Sequence, residues 1–394
     1  MNAASPLLNV YRRTNIVMDR GEGVYLYDTH GKRYLDCAAG IAVNVLGHTH
    51  PAVVDALKKQ LDKLWHCSNY FHTQPLDRFA AALTQASGMD QVFFGSSGTE
   101  AVEAAIKMIR RYSIANGKPE RTDILVAESA FHGRTLGALS ACGHEKSREG
   151  FGKLLDGFAT VPFNNLDVLE YAINENTAGI LLETIQGEGG IRPHTSAYLK
   201  KIRELANEYD LILALDEVQC GYGRTGSLFA YQEAGIEPDI VIAAKGIGGG
   251  FPLSAALVKA KVGKVMTPGS HGSTYGSNPL ACAVGQAVLT EILKPGFLEH
   301  VSSIGKYFTQ QLQDLCKDFP LLFSTVRGRG LMLGVAFSPT DNKYLFANQL
   351  LEAGLIVAPA VTDVLRILPP LTITKEHVDE AIRIFRQVAE NHRG

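Results

Sequence analysis

Short apolar runs alternate with amphipathic stretches through the middle of the chain. The runs are QVFF (91–94), DILVA (123–127), GILLE (179–183), LILALD (211–216) and DIVIAA (239–244). Each is continuous rather than alternating, which predicts strands covered on both faces. Between them lie helical patterns, and this alternation predicts crossover units and a mainly parallel sheet of the α/β class. Nearer the start, GVYLYD and KRYLDC flank Thr29-His30-Gly31, a polar turn, and predict a hairpin. Pro51 opens PAVVDALKKQLDKLW, whose apolar residues recur at helical spacing. After about residue 295 the pattern changes. A long amphipathic helix (about 296–317) precedes LMLGVAF, LIVAP and VLRILPPL, and a last helix follows. These segments predict a second, smaller α+β lobe, with the N-terminal hairpin as a candidate member.

Composition narrows the class. The chain has 394 residues, and roughly 150 per domain predicts two or three domains. Lys plus Arg number 38 and Asp plus Glu 40, a net charge of −2. That balance leaves no basic stripe for nucleic acid or a membrane surface. The six cysteines form no C-x-x-C pair and read as reduced thiols. His48 and His50 are a close pair without further ligands at zinc spacing, so no metal is expected. No signal peptide and no transmembrane run are read, and a cytoplasmic location is the expectation. Glycine is in surplus: 39 residues, about 10% against a typical ~7%. The surplus implies backbone that turns tightly or approaches something closely.

Several strings carry candidate chemistry. In LILALDEVQCGYGRTG a strand ends at Asp216, where open α/β sheets face their ligand crevice. Alone, Asp216 reads more readily as a turn cap. Gly221 to Gly226 matches G-x-G-x-x-G, but no acid closes the next strand, so dinucleotide binding is not supported. Lys245 follows DIVIAA and runs into GIGGGFPL. Burial there would lower its pKa and free the amine for a Schiff base, although alone it reads as a solvated strand end. In FFGSSGTEA a strand runs into a helix whose start suits a phosphate, and Ser97 or Thr99 serves equally as an ordinary cap. In SAFHGRT, Phe131 and His132 precede Arg134, offering an aromatic face and a carboxylate fork. ETIQGEGG holds Glu183 and Glu188 beside a glycine turn, and HGSTYGSNP offers Ser273 and Thr274. Arg366 sits inside the apolar VLRILPPL, where an unpaired cation is costly, so it needs a carboxylate, from the protein or from a substrate.

Together these strings resemble the class III pyridoxal-phosphate-dependent aminotransferases of the aspartate aminotransferase fold type. The resemblance covers essentially the whole chain, through GEGVYLYDTHGKRYLDCAAG, LGHTHP, SGTEA, FHGRT, QGEGG, DEVQCGYGRTG, AAKGIGGGFP, GSTYGSNPLA and RILPPL in the family's order. It implies fold type I, a large domain (56–294) with a mainly parallel seven-stranded sheet, and a small domain from both termini (1–55 and 295–394). It implies pyridoxal 5′-phosphate as cofactor. Lys245 would bond to it and shuttle the proton. Asp216 would pair with the pyridinium nitrogen. Phe131 would stack on the ring, Gln219 would contact its phenolic oxygen, and Gly98 and Thr99 would hold the phosphate. Thr274 would reach the phosphate from the neighbouring subunit, with Ser273 near the substrate, which implies a homodimer with shared sites. The resemblance assigns the glycine-rich motifs around 187–190, 221–226, 246–250 and 272–276 to the cofactor site.

GIAVNVLGHTHP, and DEVQ followed by GRTG, resemble the acetylornithine and succinylornithine aminotransferases. That similarity implies transfer of the ω-amino group of N2-acetylornithine to 2-oxoglutarate, in arginine biosynthesis. Arg134 would bind the carboxylate far from the reacting carbon and Arg366 the near one. Glu188 would neutralise Arg366 when the ω-amine is bound and swing away for glutamate. Tyr11 would help place the ω-amino substrate. Ile41, where ornithine aminotransferases usually carry an aromatic, argues against free ornithine. Succinylornithine, N-succinyl-diaminopimelate and 4-aminobutyrate remain as alternative donors, and a non-catalytic cofactor-binding homologue as an alternative class.

Overall fold

The computed structural model describes residues 6–338 and 342–392. Its centre is a seven-stranded sheet. In spatial order the strands are Gln91–Gly95, Ser254–Val258, Ile240–Ala243, Ile212–Asp216, Thr177–Glu183, Asp123–Ala127 and Phe158–Val161. Ser254–Val258 runs antiparallel to both neighbours, and the remaining pairs are parallel. The sheet is therefore mainly parallel, as the apolar runs predict. Two of its strands were not predicted. Phe158–Val161 is an edge strand with exposed residues, and Ser254–Val258 is short and alanine-rich, so neither presents a strong apolar run.

Alternation along each strand divides the core in two. Ile212 and Ala214 join the cluster under helix Gly98–Ala115, with Ala101, Val102, Ala105, Ile106 and Ile109. Leu213 and Leu215 face the opposite side, beside Leu199, Ile202 and Leu205 of helix Ser196–Glu208. Each buried valine, leucine or isoleucine among them stabilises the fold by about 1.5–3 kcal/mol. With both faces covered, only the strand ends remain to carry polar chemistry.

The hairpin at Thr29-His30-Gly31 forms between Tyr25–Asp28 and Arg33–Asp36. Asp28 Oδ1 accepts the His30 and Lys32 amides, both at 2.9 Å, which fixes the turn. Met18–Glu22 adds an unpredicted strand, and Leu355–Ile356 pairs parallel to Arg33–Asp36. The N-terminal hairpin and the C-terminal segment thus share one sheet. A second sheet joins Phe323–Arg329, Met332–Phe337, Val364–Ile367 and Ala358–Pro359, all antiparallel. The helix opened by Pro51 runs to Leu61, shorter than its apolar pattern suggests. It spans residues 55 and 56 and packs on helix Pro279–Ile292.

Candidate active site

Asp216 and Glu183 end neighbouring strands and are partners in register. By the two-residue period, Asp216 follows Ile212 and Ala214 onto the face covered by helix Gly98–Ala115. Both acids are buried, at 4% and 6% exposure. His132 Nδ1 donates to Asp216 Oδ2 at 2.8 Å, and the Val218 amide donates to Oδ1 at 2.9 Å. Burial pulls the His132 pKa down, but the bond to Asp216 and its charge outweigh this and raise it. Glu183 accepts the Phe131 amide at Oε1 and the Gly187 amide at Oε2, each at 2.9 Å. Burial pushes its carboxyl up to about 7, against the pull of His132.

Lys245 follows the neighbouring strand Ile240–Ala243 and opens a short 3-10 turn. Its φ is +46°, a left-handed conformation that costs a lysine about 1–3 kcal/mol. Burial, helped by the nearby Arg366 cation, lowers its ammonium to about 8, with Glu188, Glu183 and Asp216 opposing. A substantial fraction of the amine is therefore neutral near pH 8.

These groups line a cavity of about 410 Å³. Asp216, Lys245, Phe131 and Gln219 contribute to its wall, as do Gly98, Thr99, Arg134 and Glu188. The Arg134 guanidinium lies over the Phe131 ring at 5.3 Å. The start of helix Gly98–Ala115 has no side-chain cap. Ser97 Oγ instead donates to Glu100 Oε2 at 2.7 Å, so the first-turn amides of an 18-residue helix face an anion site. Gly133 lets the loop lie against this start, since a Cβ there would collide with Thr99. An uncapped helix start, an aromatic plate, a buried carboxylate and an amine in one cavity fit a phosphorylated pyridine ring.

Arg366 is 2% exposed and does not line the cavity, but its partner does. Its Nη1 donates to Glu188 Oε1 at 2.5 Å and to Gln219 Oε1 at 3.4 Å. Its Nε and Nη2 donate to the Ala358 and Pro359 carbonyls. The sequence expectation that Arg366 needs a carboxylate is met inside the protein by Glu188.

Four expected residues lie elsewhere. Tyr11 is 68% exposed beneath the Arg13 guanidinium. Ile41 is 40% exposed, in a kinked segment. Thr274 is exposed, and Ser273 bonds to Glu100 and the Gly276 amide. None of the four lines the cavity of the single chain. The glycine reading also changes. The Gly221–Gly226 segment opens no helix and does not reach the cavity. A Cβ at Gly223 would lie 3.1–3.3 Å from Leu371, Ile292 and Leu298, so this glycine admits close packing against C-terminal residues. Of the glycines in the four motifs assigned to the cofactor, only Gly250 lines the cavity.

Sequence reasoning assigned no role to His132, Glu183 or Val218, which also line the cavity. Glu183 carried a usable signal: GILLE ends in an acid as LILALD does. His132 carried none, because its partner is 84 residues away. Glu217 and Cys220 turn away from the cavity. Glu217 accepts Thr184 Oγ1 at 2.6 Å and the Ala230 and Tyr231 amides, and Cys220 Sγ donates to it at 3.3 Å.

Residues 9–389 match the family model of the class-III aminotransferases. The chain is 47% identical over 380 residues to an acetylornithine aminotransferase of Agrobacterium fabrum, covering 96% of this chain and 95% of the relative. It is 44% identical over 383 residues to that of Aquifex aeolicus, covering 97% and 99%. The ornithine aminotransferase structure from Toxoplasma gondii superposes with a TM-score of 0.93 at 31% identity, covering 98% and 94%. The N-acetylornithine aminotransferase structure from Stenotrophomonas maltophilia gives 0.85 at 37%, covering 96% of each chain. With the strand-end acid, the lysine and the uncapped helix start in one cavity, these likenesses make the chain a member of the class-III aminotransferases.

Proposed function

We propose that this aminotransferase moves the ω-amino group of N2-acetylornithine to 2-oxoglutarate, giving N-acetylglutamate 5-semialdehyde and glutamate. The observation that carries the reading is the Glu188–Arg366 pair. A site for an ω-amine must not present a bare cation beside the reacting carbon, whereas a site for glutamate must present one. A buried arginine with an internal counter-ion that itself lines the cavity meets both needs. The names of the relatives from Agrobacterium fabrum and Aquifex aeolicus support the acetylated donor. The reading assigns the enzyme to arginine biosynthesis and to the cytoplasm. Among the described residues no helix is long and apolar enough to cross a membrane.

Pyridoxal phosphate, the cofactor of the family, supplies an electron sink when bound. The protein's residues do the rest. Asp216, with its charge shared by His132, would hold a proton at the ring nitrogen. Gly98 and Thr99 would bind the phosphate, Phe131 would stack on the ring, and Gln219 would meet its phenolic oxygen. Lys245 Nζ, partly neutral, would take the proton from the substrate carbon and deliver it to the C4′ carbon of the cofactor. Arg134 would orient the distal carboxylate, and Tyr11 the ω-amino substrate.

Removing the counter-ion tests the reading. Glu188→Ala leaves Arg366 free, so the ratio of kcat/KM for glutamate to that for N2-acetylornithine should rise at least about tenfold. Separate half-reaction kinetics read this ratio. An unchanged preference would refute the switch, and failure of the wild type on acylated ornithines would refute the donor.

The reading includes a homodimer. Trp65, Tyr70, Phe71 and Tyr275 are 61%, 90%, 66% and 65% exposed, a large aromatic surface for a soluble chain. His66 packs on Tyr275 at 5.5 Å, and Asn69 Nδ2 donates to the Ser273 carbonyl at 2.9 Å. This surface is thus continuous with Ser273 and Thr274, which a second copy would carry to the cavity. Mixed dimers with Thr274→Ala on one subunit and Lys245→Ala on the other should lose cofactor at one site while the other keeps both intact residues. Independent behaviour of the two defects would exclude shared sites. We also read the chain as a large domain of about 56–294 and a small domain from both ends, on the shared terminal sheet.

A further inference from the structure

We propose that Glu183 is a positioning residue that couples the aromatic plate to the movable counter-ion, by tying the Phe131 backbone and the Glu188 turn to one strand end. The inference rests on the two-substrate reading above. Glu183 stands at the end of a fully buried strand, in register with Asp216. One carboxylate oxygen takes the Phe131 amide and the other the Gly187 amide. Both oxygens are thus committed to backbone that carries something else: the ring-stacking side chain on one side, and the residue before Glu188 on the other.

The Glu188 turn has little slack. Its base is pinned where Ile185–Gln186 pairs with Arg192–Pro193. The Gly190 amide closes the turn on the Gly187 carbonyl at 3.2 Å. Gly187 presses on the Gln219 side chain so closely that a Cβ there would collide with it. Gln219 in turn accepts from Arg366. When Glu188 leaves Arg366, the strain passes to the Gly187 amide and so to Glu183. Through the other oxygen of the same carboxylate it reaches Phe131. Asp216 holds the next residue, His132, so two adjacent strand ends fix two consecutive residues of the plate loop.

Glu183→Gln keeps the volume but leaves a single acceptor oxygen, so one of the two amides loses its partner. The released turn should hold Glu188 on Arg366 less well, and the glutamate preference should rise by about tenfold, the scale of one charge-assisted hydrogen bond. The same change made in a Glu188→Ala background should not shift the ratio further. Amide exchange, measured without substrate, should quicken at Phe131 or Gly187 by about tenfold while the strand amides of 177–182 stay protected. If Glu183→Gln does not fold, Glu183→Asp, which keeps both oxygens one carbon shorter, should give the same signature. An equal fall in both half-reactions, or a shift that persists without Glu188, would reduce Glu183 to a structural anchor and overturn the proposal. If the wild type has no ω-amine activity, the functional reading fails by itself. The exchange rates at Phe131 and Gly187 then still decide whether the carboxylate joins them.

Discussion

Replacing Lys245 by alanine is expected to end transamination and to remove the absorbance of the lysine-bound cofactor, while the fold survives. The loss should be at least about a thousandfold, because acid–base transfer by a positioned amine alone contributes about 10²–10⁴. The fold should tolerate the change because the lysine side chain faces the cavity rather than the packed core. It lines the cavity, its backbone is already held at φ +46°, and the following turn is fixed by the Ile247 and Gly249 amides. The same residue gives a pH dependence. An ammonium lowered to about 8 loses its proton as pH rises through that value, and the neutral form is the reactive one. Reconstitution of cofactor-free protein with pyridoxal phosphate should therefore speed up as pH rises and level off above about 8. A rate independent of pH from 6 to 9, or a variant that retains a tenth of the activity, would remove Lys245 from the centre of the mechanism.

Asp216→Asn should cost about 10²–10³ in kcat, the scale of removing one preorganised polar group aimed at developing charge. The substitution is nearly isosteric and can still accept the Val218 amide. What it removes is the negative charge that faces both His132 and the cavity. His132 is fully buried, and its pKa is raised only by the bond to Asp216 and by the charges of Asp216 and Glu183. Without Asp216, burial is left opposed by Glu183 alone and the His132 pKa should fall. The ring nitrogen would lose its counter-ion. Thermal stability should change far less than activity, since the asparagine can keep a hydrogen bond to His132. Steady-state rates and the His132 ring signals by NMR check both halves. A variant within threefold of wild type, or a His132 pKa that does not fall in the variant, would contradict this account.

Strand ends were the most legible part of the site. Asp216 and Lys245 each follow an uninterrupted apolar run, and the carboxyl end of such a strand is the crevice end of an open α/β sheet. The hairpin at Thr29-His30-Gly31 was equally legible, because its turn is local. Ser254–Val258 was not, since a short strand of serine, alanine, leucine and valine gives no strong run. The glycine surplus misled in part. Composition records that backbone comes close to something, but not what. Around Gly223 the neighbours are leucine and isoleucine side chains rather than a ligand.

By itself, then, the sequence determined the α/β alternation through local periodicity, and its short motifs carried the resemblance to the family, which singled out the lysine and the acid. It also required a carboxylate for Arg366, because a buried cation cannot stand alone. The resemblance singled out Glu188, 178 residues away, and the tertiary structure sets it on Arg366 in this state. Only the tertiary structure joined His132 to Asp216, and Phe131 and Gly187 to Glu183. Those pairings depend on which strand lies beside which and on how two loops meet above them. No residue spacing along the chain encodes that geometry.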